Sequence, residues 1–235
     1  MARTFYDSIS LNSDILLDLP FREGTGAITH DVAKPHHPVT LVSTPTWASL
    51  ASNLGVLELD GATEYLQALN ADTADLDFMA GDYSLSIWFK WTDTGSSEIL
   101  MGRYEVDVSG WETYLYTGGG STHYLQLRHH HAGGATTRTG AYSSGWTPGT
   151  WYLFGLSRSG GDAVMYRNGA AVETSVSVGG LIDPETCAQD LVIGTRYTKN
   201  ADWYDGQLWR PRIWDRALTS AEWKVIYELE KRWFP

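Results

Sequence analysis

Tyr83-Ser84-Leu85-Ser86-Ile87-Trp88-Phe89-Lys90-Trp91 is the stretch on which the fold turns. Successive side chains of a strand point to opposite faces, so Tyr83, Leu85, Ile87 and Phe89 share one side and Ser84, Ser86, Trp88 and Lys90 the other. The first side is apolar enough to look inward, and the second is expected to look outward. Segments of similar alternating or apolar character recur at 15–19, 54–59, 111–116, 124–131, 151–157, 163–167, 191–194 and 208–214. Gly, Pro, Asn and Asp clusters separate them, which is the pattern of an antiparallel sandwich rather than of strands alternating with helices.

The punctuation supports the strands. Thr117-Gly118-Gly119-Gly120-Ser121 is a permissive turn that joins 111–116 and 124–131 into a hairpin. Asn168-Gly169 suits a type I′ turn, because both residues tolerate positive φ. One helix is expected, over 220–231: Thr219-Ser220-Ala221-Glu222 fits a capping box, and Trp223, Ile226, Tyr227 and Glu230 fall on one face that packs on the sandwich edge. Residues 31–38 and 132–144 read as loops. With no repeat or linker, the 235 residues read as a single domain, 1–235.

Composition narrows the function classes. A net charge of -11, with no Lys/Arg cluster, disfavours nucleic acid. Cys187 is the one cysteine, so no internal disulfide forms. No apolar run is long enough to insert in a membrane, and Met1 to Ser10 lacks the features of a signal peptide, so a soluble chain without an export address is expected. Eleven Trp and thirteen Tyr against six Phe favour rings with a polar handle, as binding surfaces use them.

Several stretches, in order, resemble the laminin-G-like jelly-roll family within the concanavalin-A-like lectin and glucanase fold. Leu16-Leu17-Asp18-Leu19-Pro20-Phe21-Arg22-Glu23-Gly24-Thr25-Gly26 is similar to the opening strand and turn, and Leu57-Glu58-Leu59-Asp60-Gly61 to the family's Asp-Gly segment. The 83–90 strand, Trp151, Tyr166-Arg167-Asn168-Gly169, Leu191-Val192-Ile193-Gly194 and Arg212-Ile213-Trp214-Asp215-Arg216-Ala217-Leu218-Thr219 complete the resemblance. It implies an all-β, two-sheet jelly roll with one short C-terminal helix. It leaves function open, because this architecture hosts lectins, hydrolases, adhesion modules and scaffolds.

Glu58, Asp60 and Glu64 test the hydrolase reading and fail on spacing, since Gly61-Ala62 signals a turn before Glu64. The resemblance implies a calcium ion on loop carboxylates, for which Asp31 and Asp60 match, although Trp209 and Arg210 stand where the closing signature carries acids. His129-His130-His131 invites zinc or copper, but alternation sends His129 and His131 one way and His130 the other. The preferred site is a polar sheet face or rim of Trp111, His123, Tyr124, Arg128, His129 and His131, with a second cluster at Asp202, Trp203 and Tyr204. In the competing account Trp88, Trp111 and Trp146 simply fill the sandwich edge. No nucleophilic triad or phosphate-cradling loop stands in a suitable context.

The expected function is a non-catalytic carbohydrate-binding or adhesion module whose partner is a glycan or glycoprotein surface, acting outside the cell or on a virion. A virion structural or decoration protein, partnered by other subunits, is the alternative from another class. A glycoside hydrolase is the third.

Overall fold

The computed structural model describes residues 9–118, 122–132, 136–143, 145–172 and 180–234. The Gly-rich turn residues 119–121, parts of the 132–144 segment and the start at 1–8 therefore lie outside the described residues. In chain order the elements are α1 (Ile9–Asn12), β1 (Ile15–Asp18), β2 (Ile28–His30), β3 (Pro38–Val42), β4 (Thr46–Ser49), β5 (Gly55–Asp60) and β6 (Tyr65–Ala68). There follow β7 (Tyr83–Trp91), β8 (Glu98–Glu105), β9 (Ser109–Gly118), β10 (Thr122–His130) and β11 (Thr136–Ser143). The chain closes with β12 (Tyr152–Ser159), β13 (Asp162–Arg167), β14 (Ala170–Ala171), β15 (Leu191–Ile193), β16 (Asp205–Trp214) and α2 (Ser220–Glu230).

Among the described residues the strands form two eight-stranded antiparallel sheets. The first runs β14-β13-β12-β7-β16-β5-β4, with β1 also pairing β16, and the second runs β11-β10-β9-β8-β15-β6-β3-β2. Their facing sides supply one hydrophobic cluster that reaches from Leu17 to Ile226 and includes Tyr83, Leu85, Ile87 and Phe89. The two-sheet, all-β architecture expected from the alternation is the one observed. Segment 136–143 is a correction, a strand on the open edge of β10 and not loop. β8, also unanticipated, reads Glu-Ile-Leu-Met-Gly-Arg-Tyr-Glu, and its pairing with β9 shifts register between Ile99 and Met101. A shift of that kind breaks the period of two that marks a strand in sequence.

The second side of β7 is also corrected. Ser84, Ser86 and Trp88 are buried, because α2 and the C-terminal turn cover that face of the sheet. The capping box forms, with Thr219 Oγ1 accepting from the Glu222 amide at 3.3 Å and Glu222 Oε2 accepting from the Thr219 amide at 2.8 Å. Trp223 lies so close to Gly155 that an added Cβ would stand 2.8 Å from the indole ring. Its Nε1 donates to Ser157 Oγ at 2.8 Å. Asn168 and Gly169 take positive φ of 53° and 75°, as the turn requires, and the helix rests on them.

Glu230 locks this layer. Its carboxylate accepts from Trp88 Nε1 at 2.8 Å, from both Arg212 terminal nitrogens at 2.9 and 3.0 Å, and from Arg210 Nη1 at 2.9 Å. Arg210 also donates twice to Asp18, each at 2.9 Å. Arg210 reaches both because β16 carries a bulge between Trp209 and Arg212, where Arg210 adopts φ of 50°.

Removing one partner of a buried ion pair leaves the other uncompensated, so Glu230→Ala is expected to cost about 3–5 kcal/mol of stability. Urea denaturation of the variant beside the parent measures it, and a loss under about 1 kcal/mol would contradict the role given to this network.

Candidate functional site

β9 and β10 pair without interruption from Gly118↔Thr122 to Trp111↔His129, so the faces of their side chains are fixed by parity. Trp111, Leu115, Leu125 and Leu127 belong to the core, which directs the odd-numbered residues inward. The outward set is Glu112, Tyr114 and Tyr116 on β9 with Tyr124, Gln126, Arg128 and His130 on β10.

This parity divides the expected site residues. Trp111 is 1% exposed, donates Nε1–H to the Leu76 carbonyl at 2.9 Å and packs at a tilt against Phe78 and Tyr83. It fills the core, as the competing account for the indoles had it, and offers no face to a ligand. His129 is fully buried. Its Nδ1 lies 2.8 Å from the Ile182 carbonyl and so carries the proton, leaving Nε2 to accept from the Tyr83 hydroxyl at 2.7 Å. Burial, with the Arg158 charge, takes its pKa down to about 4 against the pull of the Ile182 carbonyl. His123 is buried against Trp91, with Thr117 Oγ1 at 3.2 Å. Tyr204 is likewise enclosed, donating to the Gln207 carbonyl at 3.2 Å. His131 lies just past the end of β10, half-buried, 3.3 Å from the Ala132 carbonyl.

Tyr124 and Arg128 do face outward, and the structure joins to them three residues the sequence reading missed: Tyr114, Tyr116 and Gln126. The Tyr116 ring is 6.3 Å from both Tyr114 and Tyr124, and the Arg128 guanidinium sits 3.8 Å above Tyr114. Tyr116 is 38% exposed, while Tyr114, Tyr124, Gln126 and Arg128 are half-buried. Beneath them the buried Glu112 carboxylate accepts from Arg128 at 3.2 Å, from His130 Nε2 at 3.2 Å and from the Tyr104 phenol. The Asp107 amide donates to His130 Nδ1 at 3.1 Å, which places the imidazole proton on Nε2, toward Glu112. Arg128 is thus held in place before any ligand arrives. Strand parity, read from Leu125 and Leu127, was the signal for this grouping.

Segment 195–203 crosses the same side of the second sheet. The Ile99 amide donates to the Asp202 carbonyl at 3.0 Å, and the Tyr197 ring meets Tyr104 edge-on at 5.1 Å. Trp203 packs on Tyr65 of β6, at 5.9 Å. β6 is three strands from β9, about 14 Å at ordinary strand spacing, so Trp203 is not joined to the tyrosine group.

The two aspartates expected to hold calcium are engaged by protein donors. Asp31 accepts from the amides of Asp18, Ala33 and His37 and sits 3.0 Å from His37 Nδ1. Burial opposes its ionisation, but the His37 and amide hydrogen bonds prevail and lower its pKa. Asp60 accepts from the Ala62, Thr63 and Glu64 amides and from Thr63 Oγ1, the cap of its own turn. Asp60 ends a strand of the first sheet and Asp31 follows one of the second. Among the described residues no group of three or more His, Cys, Asp or Glu side chains converges as metal ligands would.

Residues 60–222, more than half of the chain, match the family described as the concanavalin A-like lectin/glucanases superfamily. The chain belongs to that superfamily. The comparison with curated proteins finds no match. Among solved structures, the superfamily member described here is similar to the binding domain of botulinum neurotoxin serotype D, with TM-score 0.67 and 14% identity over 94% of this chain and 53% of that one. The serotype D ligand-binding domain in complex with N-acetylneuraminic acid gives 0.67 and 14%, over 94% and 52%. The serotype G binding domain gives 0.67 and 13%, over 92% and 51%. The chain spans about half the length of each, and at these identities the likeness shows the fold alone. No helix among the described residues is long and apolar enough to cross a membrane.

Glu98 gives this end of the second sheet a pH dependence. Burial raises its pKa from 4.5 to about 8, against hydrogen bonds from the Asp205 amide and Thr94. A carboxyl raised in the fold contributes stability that is complete below its unfolded value of 4.5 and lost as pH rises through about 8. Glu98→Gln, which cannot ionise, is therefore expected to flatten the decline of melting temperature between pH 5 and 8; an unchanged profile would refute the assignment.

Proposed function

We propose that this protein is a non-catalytic carbohydrate-binding module that holds a glycan, or the glycan of a glycoprotein surface, on the outer face of β9 and β10. The observation that carries the reading is the run of Tyr114, Tyr116 and Tyr124 at 6.3 Å spacing, with Arg128 fixed over the first ring. Aromatic faces stack on the C–H faces of sugar rings, while phenol, amide and guanidinium groups bond their hydroxyls. Tyrosine loses little rotamer freedom on binding, and the Glu112 anchor removes most of that cost for Arg128. Membership in a superfamily of lectins and glucanases, and the sialic acid complex formed by a neurotoxin domain of similar fold, agree with this chemistry.

The reading is tested by glycan-array screening followed by calorimetric titration of the best ligand. Tyr116→Ala and Tyr124→Ala are each expected to lose about 1 kcal/mol of binding, roughly fivefold. A folded double variant that still binds at parental affinity would remove the tyrosine face from consideration. Because Asp31 and Asp60 are already engaged by protein donors, the same titration in EDTA is expected to give the same affinity. A loss of binding in EDTA that calcium restores would make the site cation-dependent.

A further inference from the structure

An open cleft of about 420 Å³ lies beside the first sheet, where the start of β5, the bulge of β16 and the C-terminal turn meet. Its chemistry is carried by Arg22, Asn53, Trp209, Arg210, Arg232 and Trp233. In a chain of net charge -11, three guanidinium groups line this cleft and, among the described residues, no carboxylate does. Arg210 is offset by Asp18 and Glu230. Arg22 and Arg232 are exposed and make no ion pair among the described residues, and Arg232 lies 4.8 Å from the Trp233 ring centre. The positive charge of the cleft is thus available to a ligand.

Two further features mark the lining. Trp209 lines the cleft with its indole buried, and its Nε1–H has no hydrogen-bond partner among the described residues. The nitrogen is itself enclosed, so the indole serves the cleft as an apolar wall. Phe21, Asn53 and Arg210, all lining the cleft, have positive φ of 51°, 64° and 50°. Left-handed backbone at non-glycine residues is uncommon, and such residues cluster where a ligand site over-determines the chain. Trp233 is itself held, its carbonyl accepting from Ser52 Oγ at 2.6 Å.

We propose that this cleft is a second saccharide site, selective for sugars that carry a carboxylate or sulfate. The acidic group sits between Arg22 and Arg232, and the sugar ring lies against Trp233. The donor-rich lining selects an anion, since guanidinium groups have no acceptor to offer. The volume and the indole face select a ring-bearing anion over a bare ion, being far larger than an inorganic ion fills. The site shares no residue with the tyrosine face, and neither depends on the other.

Titration of the full chain, followed by tryptophan fluorescence and ligand-observed NMR, tests it with glucuronic acid, glucose 6-sulfate, glucose and inorganic sulfate. Binding of either acidic sugar at least tenfold tighter than glucose and inorganic sulfate is expected, and the two acids separate the carboxylate from the sulfate source. Arg22→Ala/Arg232→Ala, two exposed sites whose folding is checked by thermal melting, should weaken that binding tenfold or more. Tyr116→Ala/Tyr124→Ala should leave it unchanged. Equal binding of glucose, equal binding of inorganic sulfate, no binding of either acid, or full affinity in the arginine variant would each overturn the proposal. Loss of acid binding only in the tyrosine variant would assign it to the other face.

Discussion

The Glu230 carboxylate, buried between the C-terminal helix and the first sheet, receives hydrogen bonds from Trp88, Arg210 and Arg212 and is the constraint on which the rest of this side of the molecule depends. An isolated charge in such a place is costly, so the carboxylate persists only because opposite charges and an indole N–H meet it there. The same contacts seat α2 over Ser84, Ser86 and Trp88, and they hold the bulged segment of β16 that carries Trp209 and Arg210. One interaction thus closes the outer side of the first sheet and shapes the arginine-lined cleft at its edge.

The second sheet is finished differently. Among the described residues no helix covers the outer side of β9 and β10, and segment 195–203 packs against the neighbouring strands β8 and β6. Tyr114, Tyr116, Tyr124, Gln126 and Arg128 stay within reach of solvent, while Glu112, Tyr104 and His130 form a buried polar layer that holds Arg128. A hydrogen-bonded layer of this kind restrains Arg128, and such restraint is what a binding surface of modest area needs. The contrast between a covered sheet and an open one sets where the two proposed binding surfaces lie.

The sequence alone determined the architecture, because alternation in 83–91, the Asn168-Gly169 turn and the capping box at Thr219 are local consequences of strand pleat, backbone sterics and orphan helix amides. The net charge of -11, an unfavourable balance for a phosphate polymer, is likewise set by the sequence alone. Alternation equally determined which residues of 111–116 and 124–131 share a face, although recognising the inward set required knowing that Leu125 and Leu127 point to the core. Tertiary structure alone decided that the second side of β7 is buried, since nothing within that strand reports a helix arriving more than a hundred residues later. It likewise decided that Asp31 serves His37 and three amides, and that Arg22, Trp209 and Arg232 share one cleft. These are contacts between segments distant in the chain, and their partners are chosen by packing, which a period of two residues cannot encode.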